Sequence, residues 1–213
     1  MRLLLVLGGV AMLGTNLQAE PKAGVDLAQL KGWDILLGAD AIPSERYAAQ
    51  EFQRLFTEAT GNRLAIRVES DDADSNVFDR HVFLGDSKGL RRSHPDLDLS
   101  ECGEEDLRIV IGDQPIAIAG GRPRGSLYGV YTFLEDDLGV RFLTADHTHV
   151  PPLADRHVVG PLDLTYRPPL LLRWSYYGET NNHPEFAARA RCNIVPTEGK
   201  FGGKTDRLEY DSG

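Results

Sequence analysis

Residues 107–143 read LRIVIGDQPIAIAGGRPRGSLYGVYTFLEDDLGVRFL and hold three elements in a row. Leu107, Ile109 and Ile111 alternate with their neighbours, Gly112-Asp113-Gln114-Pro115 supplies turn chemistry, and Ile116 and Ile118 resume the alternation. A period of two on both sides of such a turn is the pattern of a β-hairpin, because successive strand side chains point to opposite faces. Gly120-Gly121 closes the second arm. Pro123 suits a first helical turn, and Leu127, Val130, Tyr131, Leu134 and Leu138 recur as one helical face. Gly139 follows where a left-handed residue commonly ends a helix, and 140–143 reads as a short strand.

Upstream, residues 31–39 (KGWDILLGA) place Trp33, Ile35 and Leu37 on one face of a strand. Pro43-Ser44 opens a helix with Ser44 as its N-cap. Ala48, Phe52, Leu55, Phe56 and Ala59 form its apolar stripe, which stops at Gly61. Leu64, Ile66 and Val68 alternate as another strand; 71–76 is a polar loop, 81–85 a short strand, and 86–104 a polar surface excursion. A last short strand at 157–159 follows the Pro151-Pro152 break. Residues 20–163 thus predict an α+β domain, with two helices on one face of a mainly antiparallel sheet. After Asp163 the register changes. Tyr166-Arg167-Pro168-Pro169 breaks the chain, 170–177 (LLLRWSYY) reads as a new apolar strand, 185–191 as helical and 193–195 as strand-like. Residues 164–213 read as the first β/α unit of something larger.

The chain has 213 residues, 41% hydrophobic and 26% charged, which is the make-up of a folded globular protein. Its net charge of −9 is spread along the chain. That balance argues against nucleic acid, which is held by Lys and Arg on phosphates, and against an anionic membrane surface. Met1-Arg2, the apolar run 3–13 and the small Ala19 have the layout of a secretory signal over residues 1–19. An exported protein, periplasmic or extracellular, is therefore expected. The run is shorter than the roughly 20 apolar residues that cross a bilayer. Cys102 and Cys192 are too few for a disulfide framework; two thiols, or one bridge, are the options.

Candidate sites are sparse. Gly120-Gly121-Arg122-Pro123-Arg124-Gly125 joins a strand to a helix, a common place for phosphate, but it matches neither G-x-G-x-x-G nor the P-loop. Close packing at a helix start is its expected role, with Arg122 and Arg124 free to meet acidic groups. Asp146, His147 and His149 lack a further ligand at diagnostic spacing, so no metal or other cofactor is expected. Glu135-Asp136-Asp137 reads as a solvated face, since adjacent helical carboxylates diverge and are poorly placed to flank one glycosidic bond. No catalytic residue is assigned. Arg173-Trp174-Ser175-Tyr176-Tyr177 is the binding candidate: sugar rings stack on aromatic faces and an Arg fork suits carboxylates and hydroxyl clusters. Arg173 and Trp174 are the two residues taken as substrate-binding, with a strand end of buried aromatics as the competing reading.

The helix at 45–61 (ERYAAQEFQRLFTEATG) combined with Leu127-Tyr128-Gly129-x-Tyr131-x-Phe133-Leu134-Glu135 and Gly139-Val140-Arg141-Phe142 resembles a known domain. It looks like the N-terminal α+β domain that precedes the catalytic barrel in bacterial α-glucuronidases and β-N-acetylhexosaminidases, and the likeness spans about 33–163. It is similar above all to the form found in secreted, uncharacterised bacterial proteins. The resemblance implies a non-catalytic domain of a glycoside hydrolase acting on plant or microbial polysaccharide such as xylan. It also implies that 170–177 begins a (β/α)₈ barrel, with Arg173 matching an Arg that holds the terminal sugar in hexosaminidases. A barrel takes about 250 residues, so the acid and base carboxylates are expected outside this chain, with the barrel as intramolecular partner. The alternatives are a stand-alone carbohydrate-binding or partner-docking module, and an inert fragment of a truncated gene.

Overall fold

The computed structural model describes residues 24–70, 80–112 and 115–205. The signal-like residues 1–19, the polar loop 71–76, the turn residues Asp113 and Gln114, and 206–213 lie outside them.

The hairpin predicted from 107–120 forms as β5 (Leu107–Ile111) and β6 (Ile116–Gly120), antiparallel, with Ile109 opposite Ile118. Around it stand β2 (Asp34–Leu37), β3 (Ala65–Val68), β4 (His81–Leu84) and β10 (Leu162–Tyr166). The six-stranded sheet runs β10-β5-β6-β4-β2-β3. It is not mainly antiparallel as the sequence suggested. The pairs β2–β3, β2–β4 and β4–β6 are parallel, and only β5–β6 and β10–β5 are antiparallel. The reason is connectivity. The helix α1 (Pro43–Thr60) crosses between β2 and β3, and such a crossover returns the chain parallel.

α1 and α3 (Gly125–Asp136) cover one face of the sheet together, as predicted. Their stripes meet at Phe52, whose ring lies 5.5 Å from both Phe56 and Phe133. Burying each such side chain contributes roughly 1.5–3 kcal/mol. Gly129 brings α3 against β6, since a Cβ there would lie 3.0 Å from Ile118 Cγ2. The predicted cap Ser44 does not cap α1. Pro43 already occupies the first turn, Glu45 Oε2 reaches back to accept from Ile42 N–H at 3.0 Å, and Ser44 Oγ donates to the Pro123 carbonyl instead.

Residues 86–104 are more than a surface excursion. α2 (Lys88–Ser93), capped by Ser87, places Leu90 with Leu97 over Phe83, Ala117 and Ala119 on the second face of the sheet. That cover explains why every residue of β6 is buried. Short ladders complete the rim: β1 (Val25–Asp26) with β9 (Val158–Val159), and β7 (Arg141–Phe142) with β8 (Thr148–His149).

β10 carries the sheet through Asp163 to Tyr166, across the point where the sequence changes register. Beyond it, α4 (Gly178–Asn182) and α5 (Pro184–Arg189) form. The expected strand at 170–177 does not, nor does one at 193–195. Segment 170–177 has no neighbouring strand among the described residues. Its link to 193 runs through Arg173 N–H to Asn193 Oδ1 and Asn193 N–H to the Arg173 carbonyl. Among the described residues, no helix is long and apolar enough to cross a membrane.

Candidate functional site

The glycine-rich stretch at 120–125 is a packing device. A Cβ on Gly121 would lie 1.8 Å from the Gly103 carbonyl oxygen, and one on Gly125 would lie 2.2 Å from that of Asp106. The amides that a phosphate would need are spent: Gly121 N–H donates to the Asp106 carbonyl, and Arg124 and Gly125 N–H donate to that of Glu104. Both arginines meet acids, as anticipated. Arg122 reaches Glu45 through Nε (3.0 Å) and Nη2 (3.1 Å) and Asp40 through Nη1 (2.9 Å), which raises its pKa further.

Arg124 leads to the main polar cluster. Its guanidinium is 2% exposed, and Nε donates to Glu105 Oε1 at 2.8 Å, with Glu104 and the Gly202 carbonyl taking the other nitrogens. Glu105 Oε1 also accepts from Asn193 Nδ2 at 3.0 Å, and Oε2 accepts from Arg173 Nη2 at 2.7 Å. Arg173 completes its bonds through Nε to the Arg191 carbonyl (2.9 Å) and Nη1 to that of Leu170 (2.7 Å). Every guanidinium nitrogen of Arg173 therefore holds a protein acceptor. This cluster fastens 168–205 to the loop before β5.

Trp174 belongs to different surroundings. Its Nε1 donates to Asn181 Oδ1 at 2.7 Å, and its ring lies 4.3 Å from that of Tyr176. Tyr176 is 85% exposed, and Leu170, Leu171, Leu172, Trp174 and Tyr177 are exposed with it. Six large apolar side chains within eight consecutive residues thus face outward. The sequence reading of buried aromatics fails here because nothing among the described residues packs on this strip.

Between the strip and α3 lies a cleft of about 400 Å³. Leu107 and Leu164 of β5 and β10, together with Tyr166 and Pro168, supply its apolar lining, and Arg173 and Arg191 border it. Burial pushes the Tyr128 hydroxyl up to about 12, so it is a donor at neutral pH.

The three carboxylates 135–137 separate. Glu135 pairs with Arg191, whose φ of +55° brings it under α3, while Asp136 stays exposed at the cleft rim. Asp137 is half-buried, and burial raises its pKa to about 6. Only Asp136 fits the solvated face predicted for all three. Asp146, His147 and His149 form a tight turn: Asp146 accepts from Thr144 Oγ1 (2.7 Å), and Leu143 and Thr144 N–H donate to the His147 carbonyl. Among the described residues, no three His, Cys, Asp or Glu side chains gather as ligands. Cys102 and Cys192 are separate thiols, both raised in pKa by burial.

With this geometry in place, the chain can be compared with solved structures. A 4-O-methyl-α-glucuronidase of family GH115, with specificity for decorated arabinogalactans, superposes with a TM-score of 0.55 at 13% identity over 81% of this chain. The likeness is one of fold. A mutant β-hexosaminidase from Streptomyces plicatus in complex with its GlcNAc product matches at TM-score 0.48 and 16% identity over 82% of the chain. The chain spans only 28% and 31% of these two glycoside hydrolases. No family model and no curated protein matches the sequence.

The residues that organise the C-terminal side of the domain were largely missed. Glu105 and Asn193 carried no motif. Their one signal is compositional: adjacent Glu104 and Glu105 precede a strand whose hairpin partner runs into Arg122 and Arg124.

Proposed function

We propose that this chain provides the non-catalytic α+β domain of a glycoside hydrolase related to the α-glucuronidases, with a catalytic barrel packing against the 170–177 side. One observation carries the reading: the uncovered run of Leu170, Leu171, Leu172, Trp174, Tyr176 and Tyr177, directly after a sheet whose fold is shared with a GH115 glucuronidase. An apolar strip of this kind marks a contact surface rather than a solvated one. The carboxylates speak for a non-catalytic role. Glu45, Glu51, Glu105 and Glu135 are each tied to an arginine, so none is poised across a cleft from a second acid.

Two measurements on the purified chain test this. It should show no turnover of an aryl α-glucuronide or an aryl N-acetyl-β-glucosaminide, and turnover that persists through purification overturns the non-catalytic reading. It should also bind an apolar-surface dye, with the signal reduced by a Leu170→Ser/Leu172→Ser double substitution. A signal insensitive to that change overturns the contact surface. A polysaccharide substrate such as xylan and export by a 1–19 signal are part of the same proposal. Recovery of the chain from the periplasm or medium, cut after Ala19, tests the second.

A further inference from the structure

Residues 170–177 keep the alternation of a strand although no strand lies beside them among the described residues. Leu172, Trp174 and Tyr176 are exposed, while Arg173 and Ser175 between them are half-buried. The hydrogen bonds alternate in the same way. The Leu171 carbonyl accepts from Asn193 Nδ2 at 2.8 Å. Arg173 donates its N–H to Asn193 Oδ1 at 2.9 Å, and its carbonyl accepts from Asn193 N–H at 3.1 Å. The main-chain groups of Leu172, Trp174 and Tyr176 make no hydrogen bond among the described residues. One edge of the segment is thus fastened to Asn193 and the other is open, which is the condition of an edge strand.

The residues of the open edge suit a copy of themselves. In antiparallel pairing about a two-fold axis at Trp174, Leu172 lies opposite Tyr176 of the second copy, and the two Trp174 side chains oppose each other. Aromatic pairs are among the favourable cross-strand neighbours. Charge raises no obstacle. Arg173 is the single charged residue of 170–177, and its guanidinium is turned back onto Glu105 at 2.7 Å, so the net charge of −9 lies outside the strip. With Leu170, Leu171 and Tyr177 the strip exposes on the order of 700 Å² per copy, just under the roughly 800 Å² per partner of a stable interface. That size fits a reversible association.

We propose that, where no barrel covers it, the 170–177 strip closes on a second copy of this chain as a two-fold, antiparallel strand pair. The inference rests on reading that strip as a contact surface. Pairing supplies the ladder bonds that Leu172, Trp174 and Tyr176 lack, and it moves Trp174 out of water in the same step. Both copies use the same patch, so the association ends at two.

Sedimentation of the purified chain from about 1 to about 100 μM tests it: the mass should rise from one copy to two and no further, with a midpoint in the micromolar range. Tyr176→Asp sets a carboxylate from each copy into the pair and should weaken it at least about tenfold, a loss of about 1.4 kcal/mol, with the thermal melt unchanged. Tryptophan emission should shift to the blue as the mass doubles, and Trp174→Phe should remove that shift. The proposal is overturned by a chain that stays single at the highest concentration or by association that continues past two copies. It is equally overturned if Tyr176→Asp associates as the parent does, or if the emission shift is absent or survives Trp174→Phe. A single-copy chain that still takes up the dye in a Leu170- and Leu172-dependent way removes the pairing and leaves the contact surface standing.

Discussion

Glu105→Ala is expected to destabilise the chain by about 3–5 kcal/mol, the typical cost of leaving a buried charge without its partner. The geometry sets that magnitude. Glu105 accepts from Arg124 Nε at 2.8 Å, Arg173 Nη2 at 2.7 Å and Asn193 Nδ2 at 3.0 Å. Arg124, 2% exposed, would keep only the Gly202 carbonyl and Glu104, a side chain 43% exposed and screened by water. Arg173 would keep only backbone acceptors. Glu105→Gln preserves shape and one acceptor and should cost about half as much. Glu104→Gln, at the solvated end of the cluster, should cost less than about 1 kcal/mol. Urea unfolding with unchanged m-values gives the three differences. Amide hydrogen exchange locates the effect: the N–H groups of Arg173, Asn193 and Thr205 all bond within this cluster or to Asn193. They should lose protection before β5 and β6 do. A loss below about 1 kcal/mol for Glu105→Ala, or unchanged protection at those three amides, would refute the idea that Glu105 fastens the C-terminal segment.

Asp137 carries a folded-state pKa of about 6, raised by burial from 3.8. The folded state therefore binds its proton more tightly than the unfolded chain, and stability falls as pH rises between about 4 and 6. Asp137→Asn should leave stability unchanged at pH 4 and raise it at pH 7 by about 1 kcal/mol after allowance for solvent screening; denaturant titrations at the two pH values check this. Gly121→Ala should cost about 3 kcal/mol or more and lower soluble yield, because its Cβ would meet the Gly103 carbonyl oxygen at 1.8 Å. Tyr131 is fully buried with a hydroxyl lacking a partner among the described residues, so Tyr131→Phe should be neutral or stabilising in a thermal melt.

The elements of the domain were legible wherever a period was long enough to count. The α1 stripe from Ala48 to Ala59 and the alternation of Leu107–Ile111 with Ile116–Gly120 gave both the helix and the hairpin. Strand direction was not legible, because alternation fixes a face and says nothing of the neighbour. The parallel pairs follow from the α1 crossover instead. Segment 170–177 misled for a related reason: LLLRWSYY has strand composition, but a strand needs a partner strand, and here Asn193 supplies isolated bonds from its backbone N–H and its side chain instead of a ladder. At the candidate site, Arg173 and Trp174 stood out by residue type, yet one is saturated by Glu105 and backbone carbonyls and the other lies on the exposed strip. Glu105, Asn193 and Tyr128 come together only through the folded arrangement of three distant stretches.

The order of the strands also governs how the sheet assembles. Leu37 pairs with Leu84, Leu84 with Ile118, and Ile111 with Leu162, so most ladders close long stretches of intervening chain. Loop-closure entropy must be met before such pairings stabilise anything, which slows folding toward milliseconds to seconds. Within the six-stranded sheet, the ladder of Leu107–Gly120 is the local one among the described residues. The hairpin therefore has the least loop entropy to overcome, and without β4 and β10 on either side both of its edges would be open to pairing with another chain.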